Sequence, residues 1–333
     1  MAESLNLQTD VVRQHTVPRF LLKHFSSQGK GKRLRLHAFD KASGRAYATT
    51  PDDATVRNTF YNLDNHPNRL SLEPLLGIYE HDAAPVIADL LKHKDIRQLT
   101  EDERYKLAVF VAVQRARTFG EKQRIVGVIS MLTNKLSANG ATKEQIVETL
   151  GLSSEGDFKD IFLRQLVQQT SHISHLLEKD WYLLETTEEH PFYISDNPVV
   201  LQNLNDCGPY GNLGLAIRGI EIYLPLSSTM MLAMYCPSIR EQMICHKQKI
   251  EYLIAYAPQQ IPTHMRPFEM LRHIKGFTDY LLKPLLPKHV MRYNSLQIKF
   301  AEQYVFCGKN DFSLIQQMLA DDKRYQSGPR FTL

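Results

Sequence analysis

The sequence predicts an α+β protein, and three observations carry that expectation. Between about residues 65 and 179, apolar side chains recur three and four positions apart, the period of an amphipathic helix. From about residue 180 onward, short β-prone runs alternate with turn residues. Near the start, one alternating stretch folds back on itself around a turn. No internal repeat or low-complexity linker separates these parts. One integrated domain over residues 1–333 is therefore expected, with an N-terminal β-hairpin and helical bundle packed with a C-terminal antiparallel sheet and flanking helices.

Each element has a local reason. Leu34, Leu36 and Ala38 alternate with polar residues, Asp40 to Arg45 supplies turn chemistry, and Ala46 to Thr49 returns as the second hairpin strand. After Ser71, a capping residue, the positions Leu72, Leu75, Leu76, Tyr79, Ala83, Val86, Ile87, Leu90 and Leu91 mark a long helix. Thr100 and Glu103 form a capping box for a helix that carries the nearly unbroken apolar run Leu107 to Val113, so it should be buried on most sides. Further helices are expected over Glu121 to Ala138, Thr142 to Leu150 and Phe158 to Glu178. Trp181 to Leu184, Phe192 to Ile194, Val199 to Leu201, Ile220 to Leu224 and Thr229 to Met234 read as strands. A helix over Lys288 to Ala301, a strand over Tyr304 to Cys307 and a helix over Asp311 to Leu319 follow.

Composition narrows the function classes. With 43% hydrophobic and 23% charged residues, the chain has the make-up of an ordinary globular protein. Cys207, Cys236, Cys245 and Cys307 form no CxxC pair, which argues against a zinc knuckle and for free thiols in a reducing compartment. The first residues do not read as a secretion leader and nowhere do eighteen apolar residues run together, so a cytoplasmic protein without a membrane span is expected. A net charge of +4 permits contact with a polyanion without demanding it. Lys30, Lys32, Arg33 and Arg35 cluster after Gly29 and form a candidate nucleic-acid contact, or else a solvated arm. No Walker loop, dinucleotide turn, HExxH motif or nucleophile elbow appears, so no nucleotide cofactor is expected.

Four polar constellations interrupt these apolar patterns. His15 precedes Pro18, which suits the first turn of a helix, and a neutral imidazole there can serve as base or metal ligand. Glu73 and Glu80 are seven residues apart and share a helix face with Gly77 and Ala84, small residues that leave room for a ligand or for a close second helix. Gln114 continues the stripe of Leu107, Phe110 and Val111, so its amide must be buried. Arg117 beside it needs a partner, either Glu80 in an interhelical ion pair or a phosphate. Asp196 and Asn197 project from a strand end in Ser195-Asp196-Asn197-Pro198, which is equally good turn chemistry.

At these residues the chain resembles the bacterial family known as domain of unknown function 4238. The likeness rests on His15, Val17, Pro18, Leu22 and Phe25, on Asp40-Lys41, on Phe60-Tyr61, on the helix bearing Glu73 and Glu80, on Gln114 to Arg117 and on Ser195 to Pro198, and it covers nearly the whole chain. The resemblance implies no defined activity and only an association with defence or toxin roles. From the residues themselves the leading expectation is a metal-assisted hydrolase acting on a phosphodiester, most naturally in nucleic acid. In that reading Glu80 and Asp196 hold Mg²⁺ or Mn²⁺, His15 is a further ligand or the base, and Arg117 stabilises the developing anion. Two alternatives stand beside it: a non-catalytic RNA- or protein-binding module whose polar cluster is structural, and a metal-free acid–base enzyme using His15 and Asp196.

Overall fold

A computed structural model describes residues 5–29, 33–63, 70–151, 158–205 and 213–330, and its architecture is α+β. The chain opens with β1 (Arg13–His15), which pairs antiparallel with β5 (Val56–Asn58), placing His15 opposite Val56. Pro18, with its φ fixed at −60°, caps the short helix α1 (Arg19–Lys23). Next come β2 (Ser27–Gln28), β3 (Leu34–Asp40) and β4 (Arg45–Thr49). The last two form the expected hairpin, closed by Gly44 at φ +69°, a conformation that favours glycine.

The helical part follows as α2 (Glu73–His93), α3 (Glu101–Ala116), α4 (Phe119–Ala138), α5 (Lys143–Leu150), α6 (Phe158–Gln168) and α7 (Ile173–Leu177). Both capping boxes form, at Thr100 with Glu103 and at Thr142 with Gln145. Every residue from Leu107 to Val113 is buried, as a helix that is apolar all round requires. Ser71 acts one position earlier than a regular cap: its Oγ accepts from the Glu73 N–H at 3.2 Å, while Leu72 holds the N-cap position. The helix expected over Phe158 to Glu178 breaks into α6, a 3-10 turn at Gln169–His172 and α7. The apolar stripe runs on through this break; only the hydrogen-bond ladder changes pitch.

The strand-rich half splits between two sheets. One has the order β11 (Lys283–Pro284), β6 (Asp180–Glu185), β10 (Met230–Tyr235), β9 (Glu221–Pro225) and β8 (Val200–Gln202). Its pairs are antiparallel except for β11 beside β6. The other joins the N-terminal hairpin to late strands: β3 pairs with β12 (Tyr304–Cys307), which pairs with β7 (Ile194–Ser195). The hairpin is thus completed by strands from the second half of the chain. Two further helices, α8 (Pro237–Tyr256) and α9 (Pro267–Thr278), were not expected; each buries only two residues, and both open on a proline in the first turn. The helices α10 (Pro287–Phe300) and α11 (Ser313–Asp321) complete the chain as expected.

One apolar cluster runs through Phe25, Leu36, Phe110, Trp181, Leu183 and Phe306, drawing on hairpin, bundle and both sheets. Each such buried side chain contributes about 1.5–3 kcal/mol. A second, smaller cluster packs α10 and α11 against Phe39, Val305 and Cys307. Among the described residues no helix is long and apolar enough to cross a membrane.

Candidate functional site

The site grows out of the break between α3 and α4. Arg117 ends α3 and Thr118 begins α4, its Oγ1 accepting from the Glu121 N–H at 3.2 Å. Helix continuity is given up at these two residues, and the Arg117 side chain turns into the interior, where only 1% of it is exposed. Its guanidinium donates from Nη1 to Glu80 Oε1 at 2.5 Å, from Nε to the Tyr61 hydroxyl at 3.2 Å and from Nη2 to the His15 carbonyl at 2.8 Å. Tyr61 returns a bond from its hydroxyl to the Arg117 carbonyl at 2.8 Å. Burial alone would make the guanidinium easier to deprotonate, but the neighbouring Tyr61 and Glu80 outweigh it and hold Arg117 charged. Burial likewise pushes the Tyr61 phenol up to about 12.

One turn back, Gln114 donates from Nε2 to the Thr16 carbonyl at 3.0 Å, so β1 is clamped to α3 at two successive carbonyls. Gln14, fully buried on the same strand, accepts from the Tyr61 N–H at 2.7 Å and donates to Asn62 Oδ1 at 2.8 Å. The strand therefore holds His15 in a fixed place, although β1 is only three residues long.

Three polar atoms of this cluster are buried without a partner: His15 Nε2, Glu73 Oε2 and Gln114 Oε1. Buried polar groups are almost always paired, because an unpaired one costs about 1–3 kcal/mol. These three atoms are thus the unused hydrogen-bonding capacity of the network. Burial lowers the His15 imidazole below its usual 6.5, against the opposing pull of the backbone at Pro51 and of the Glu80 charge. With the ring neutral and its other nitrogen turned to that backbone, Nε2 carries the free lone pair. Burial pushes the Glu73 carboxyl up to about 7; Glu80 adds to the rise and Arg117 opposes it. A carboxylate in the first turn of a helix is ordinarily favoured by the helix dipole, so desolvation is the stronger effect here. Gly77 lies between the two glutamates on the exposed side of α2, and a Cβ added there would meet nothing within 4 Å.

The other strand-end residues belong to a neighbouring network. Both carboxylate oxygens of Asp196 are engaged: Oδ1 accepts from Glu302 N–H at 2.8 Å, and Oδ2 accepts from Gln303 and Tyr304 N–H at 2.7 and 2.9 Å. Burial pushes this carboxyl up to about 6, while the three N–H bonds and Lys41 pull it down. Lys41, also buried, donates to the carbonyls of Ile298 and Ala301 at 2.7 and 2.6 Å and so caps the end of α10. Asn197 bridges the two networks, accepting from Thr118 Oγ1 at 3.1 Å and donating to the Phe300 carbonyl at 3.2 Å. A Cβ at Gly120 would come within 3.2 Å of Glu302 Cβ, so a glycine lets α4 start this close.

Of the expected ligand pair, Glu80 gives one oxygen to Arg117 and Asp196 gives both to backbone N–H groups, and among the described residues no three His, Cys, Asp or Glu side chains form a group able to hold a metal ion. Glu73 and His15 each feel the Glu80 charge, which raises the proton affinity of both. Asp196 and Asn197 position the second sheet against α4.

The family model described as Protein of unknown function (DUF4238) matches residues 13–311. The chain belongs to this family. No curated protein and no solved structure matches it. The DUF4238 match takes in His15, Tyr61, Glu73, Glu80, Gln114, Arg117, Asp196 and Asn197, and so encloses both networks.

Of the basic residues in the DUF4238 chain singled out from sequence, Lys30 and Lys32 lie outside the described residues. Arg33 and Arg35 are exposed at the start of β3. Sequence reasoning assigned no chemistry to Tyr61 or Lys41. The only signal for them was the family likeness at Phe60-Tyr61 and Asp40-Lys41, since a tyrosine and a lysine carry no local mark of burial.

Proposed function

We propose that the chain is a hydrolase acting on a phosphodiester, with nucleic acid as its substrate, and that His15 and Glu73 are its base and acid. The observation that carries this reading is the group of unpartnered buried atoms, His15 Nε2, Glu73 Oε2 and Gln114 Oε1, around a guanidinium kept charged by Glu80 and Tyr61. An imidazole lowered below 6.5 and a carboxyl raised to about 7, both set against the Glu80–Arg117 ion pair, give near neutrality an unprotonated base and a partly protonated acid. In the reaction His15 Nε2 takes a proton from water as its oxygen bonds to phosphorus. The bond to the leaving oxygen breaks, and that oxygen takes its proton from Glu73. Arg117, immobile and desolvated, supplies positive field for the charge building on the phosphoryl oxygens. The free thiols of Cys236, Cys245 and Cys307 fit a cytoplasmic setting.

Incubation with labelled single- and double-stranded DNA and RNA tests the proposal. Cleavage that His15→Ala abolishes and that persists in EDTA is expected. Cleavage that EDTA abolishes would turn the reading back to Mg²⁺ or Mn²⁺ chemistry at Glu80. No cleavage of any substrate, with or without these ions, would refute it. A second reading, a binding module with a structural polar cluster, is favoured by one observation: three donor atoms of Arg117 and both oxygens of Asp196 are already engaged without any ligand.

A further inference from the structure

Beside the backbone that holds the His15 ring lies a crevice of about 430 Å³ whose polar lining is Arg19, Lys23, Arg33, Thr50, Asp52 and Asp53. Its wall, Pro51 and Asp52, is the same backbone to which the His15 ring hydrogen-bonds, and Arg19 is close enough to His15 to oppose its protonation. The crevice and the candidate site thus share a wall. Both acids of the crevice are neutralised locally: Asp52 pairs with Arg19 at 2.9 Å and Asp53 with Arg13 at 2.8 Å. Lys23 and Arg33, by contrast, are exposed and have no carboxylate partner among the described residues. They come from different elements, α1 and the start of β3, yet face one concavity.

We infer that this crevice holds the phosphate backbone of a single-stranded polynucleotide, with Lys23 and Arg33 each contacting a phosphate. The inference rests on the proposed phosphodiester chemistry for its direction but not for its test. Two cations that no carboxylate among the described residues neutralises, set in a groove rather than on a convex surface, attract a polyanion and give up no ion pair among those residues on binding. Of the basic run near Gly29, Arg33 lines the crevice, and its carbonyl accepts from the Gly29 N–H at 2.9 Å.

The test is fluorescence anisotropy of a labelled single-stranded oligonucleotide on the full chain, titrated across salt, for the wild type, Lys23→Gln/Arg33→Gln and, as a control, Lys249→Gln on the exposed side of α8. Thermal melts confirm that each variant is folded. The double variant should bind about tenfold or more weakly at roughly 0.1 M salt, and its log–log salt slope should be shallower by about 1.4, two phosphate contacts at about 0.7 each. Lys249→Gln should match the wild type. An unchanged slope in the double variant, an absence of wild-type binding, or equal competition by millimolar inorganic phosphate would each overturn the inference. Binding that depends on Lys23 and Arg33 in a protein that cleaves nothing would uphold the crevice and sink the hydrolase. Cleavage without such dependence would do the reverse.

Discussion

Replacing Glu73 with Gln isolates the most unusual charge in the site. In the folded chain this carboxyl titrates at about 7 against an ordinary 4.5, because burial penalises its ionised form. The folded state therefore holds the proton more tightly than the unfolded state does. The stabilisation this gives is complete below about pH 4.5 and falls away as pH rises to about 7; above that, the folded protein carries the full penalty of an ionised, half-buried carboxylate. At about 1.4 kcal/mol per pH unit, that span amounts to about 3 kcal/mol. Glu73→Gln has the same shape and no charge to desolvate. It should leave stability at pH 4 nearly unchanged, raise it by about 3 kcal/mol at pH 8, and flatten the profile between. For a chain of this length the gain corresponds to a rise in Tm on the order of 5 °C. Differential scanning calorimetry or urea unfolding at pH 4, 6 and 8 measures it. Parallel pH profiles for wild type and variant would show that Glu73 is not desolvated and would remove the proposed acid.

Three further outcomes follow from the geometry. Asp196→Ala orphans three backbone N–H groups, one buried and two part-buried, and a buried one costs about 1–3 kcal/mol, so urea unfolding should show a loss of several kcal/mol; a stable, folded Asp196→Ala protein would mean that the second sheet is anchored otherwise. Gly77→Met gains up to about 1 kcal/mol of helix propensity in α2 and fills the open space between the two glutamates. It should therefore raise Tm while lowering kcat/KM on an oligonucleotide, and unimpaired turnover would place the substrate elsewhere. Tyr61→Phe removes both hydroxyl bonds to Arg117 while keeping the ring, and should cost about 1–3 kcal/mol in thermal unfolding; no loss would mean that the guanidinium finds another partner.

What the sequence could show was local. The capping boxes at Thr100 and Thr142 and the buried run from Leu107 to Val113 are patterns within a few residues, and they place α3, α5 and the start of the site. Gln114 and Arg117 were legible as polar intrusions on an apolar helix, and the pairing of Arg117 with Glu80 follows from the cost of burying a lone charge. The role of Asp196 was not legible. Ser195-Asp196-Asn197-Pro198 reads as a strand end, but its carboxylate is spent on N–H groups of residues 302–304, and no spacing near residue 196 encodes a partner a hundred positions on. For the same reason the hairpin gave no hint of β12 and β7 beside it. Helix α8 was missed because a mostly exposed helix needs few apolar residues, whereas α9 carried a periodic apolar face that went unread. Glu73 could be placed on the right face from its spacing to Glu80; its elevated proton affinity comes from neighbours that only the fold brings near.

The pH dependence of kcat/KM for oligonucleotide cleavage, in the wild type and in Glu73→Gln, bears most directly on the central claim that His15 and Glu73 work as base and acid. The wild type should show a bell, rising as His15 loses its proton below 6.5 and falling as Glu73 loses its own at about 7. Glu73→Gln should be slower throughout and should lack the alkaline limb. A wild-type rate that keeps climbing beyond pH 8, or an alkaline limb that survives in the variant, would contradict the pairing.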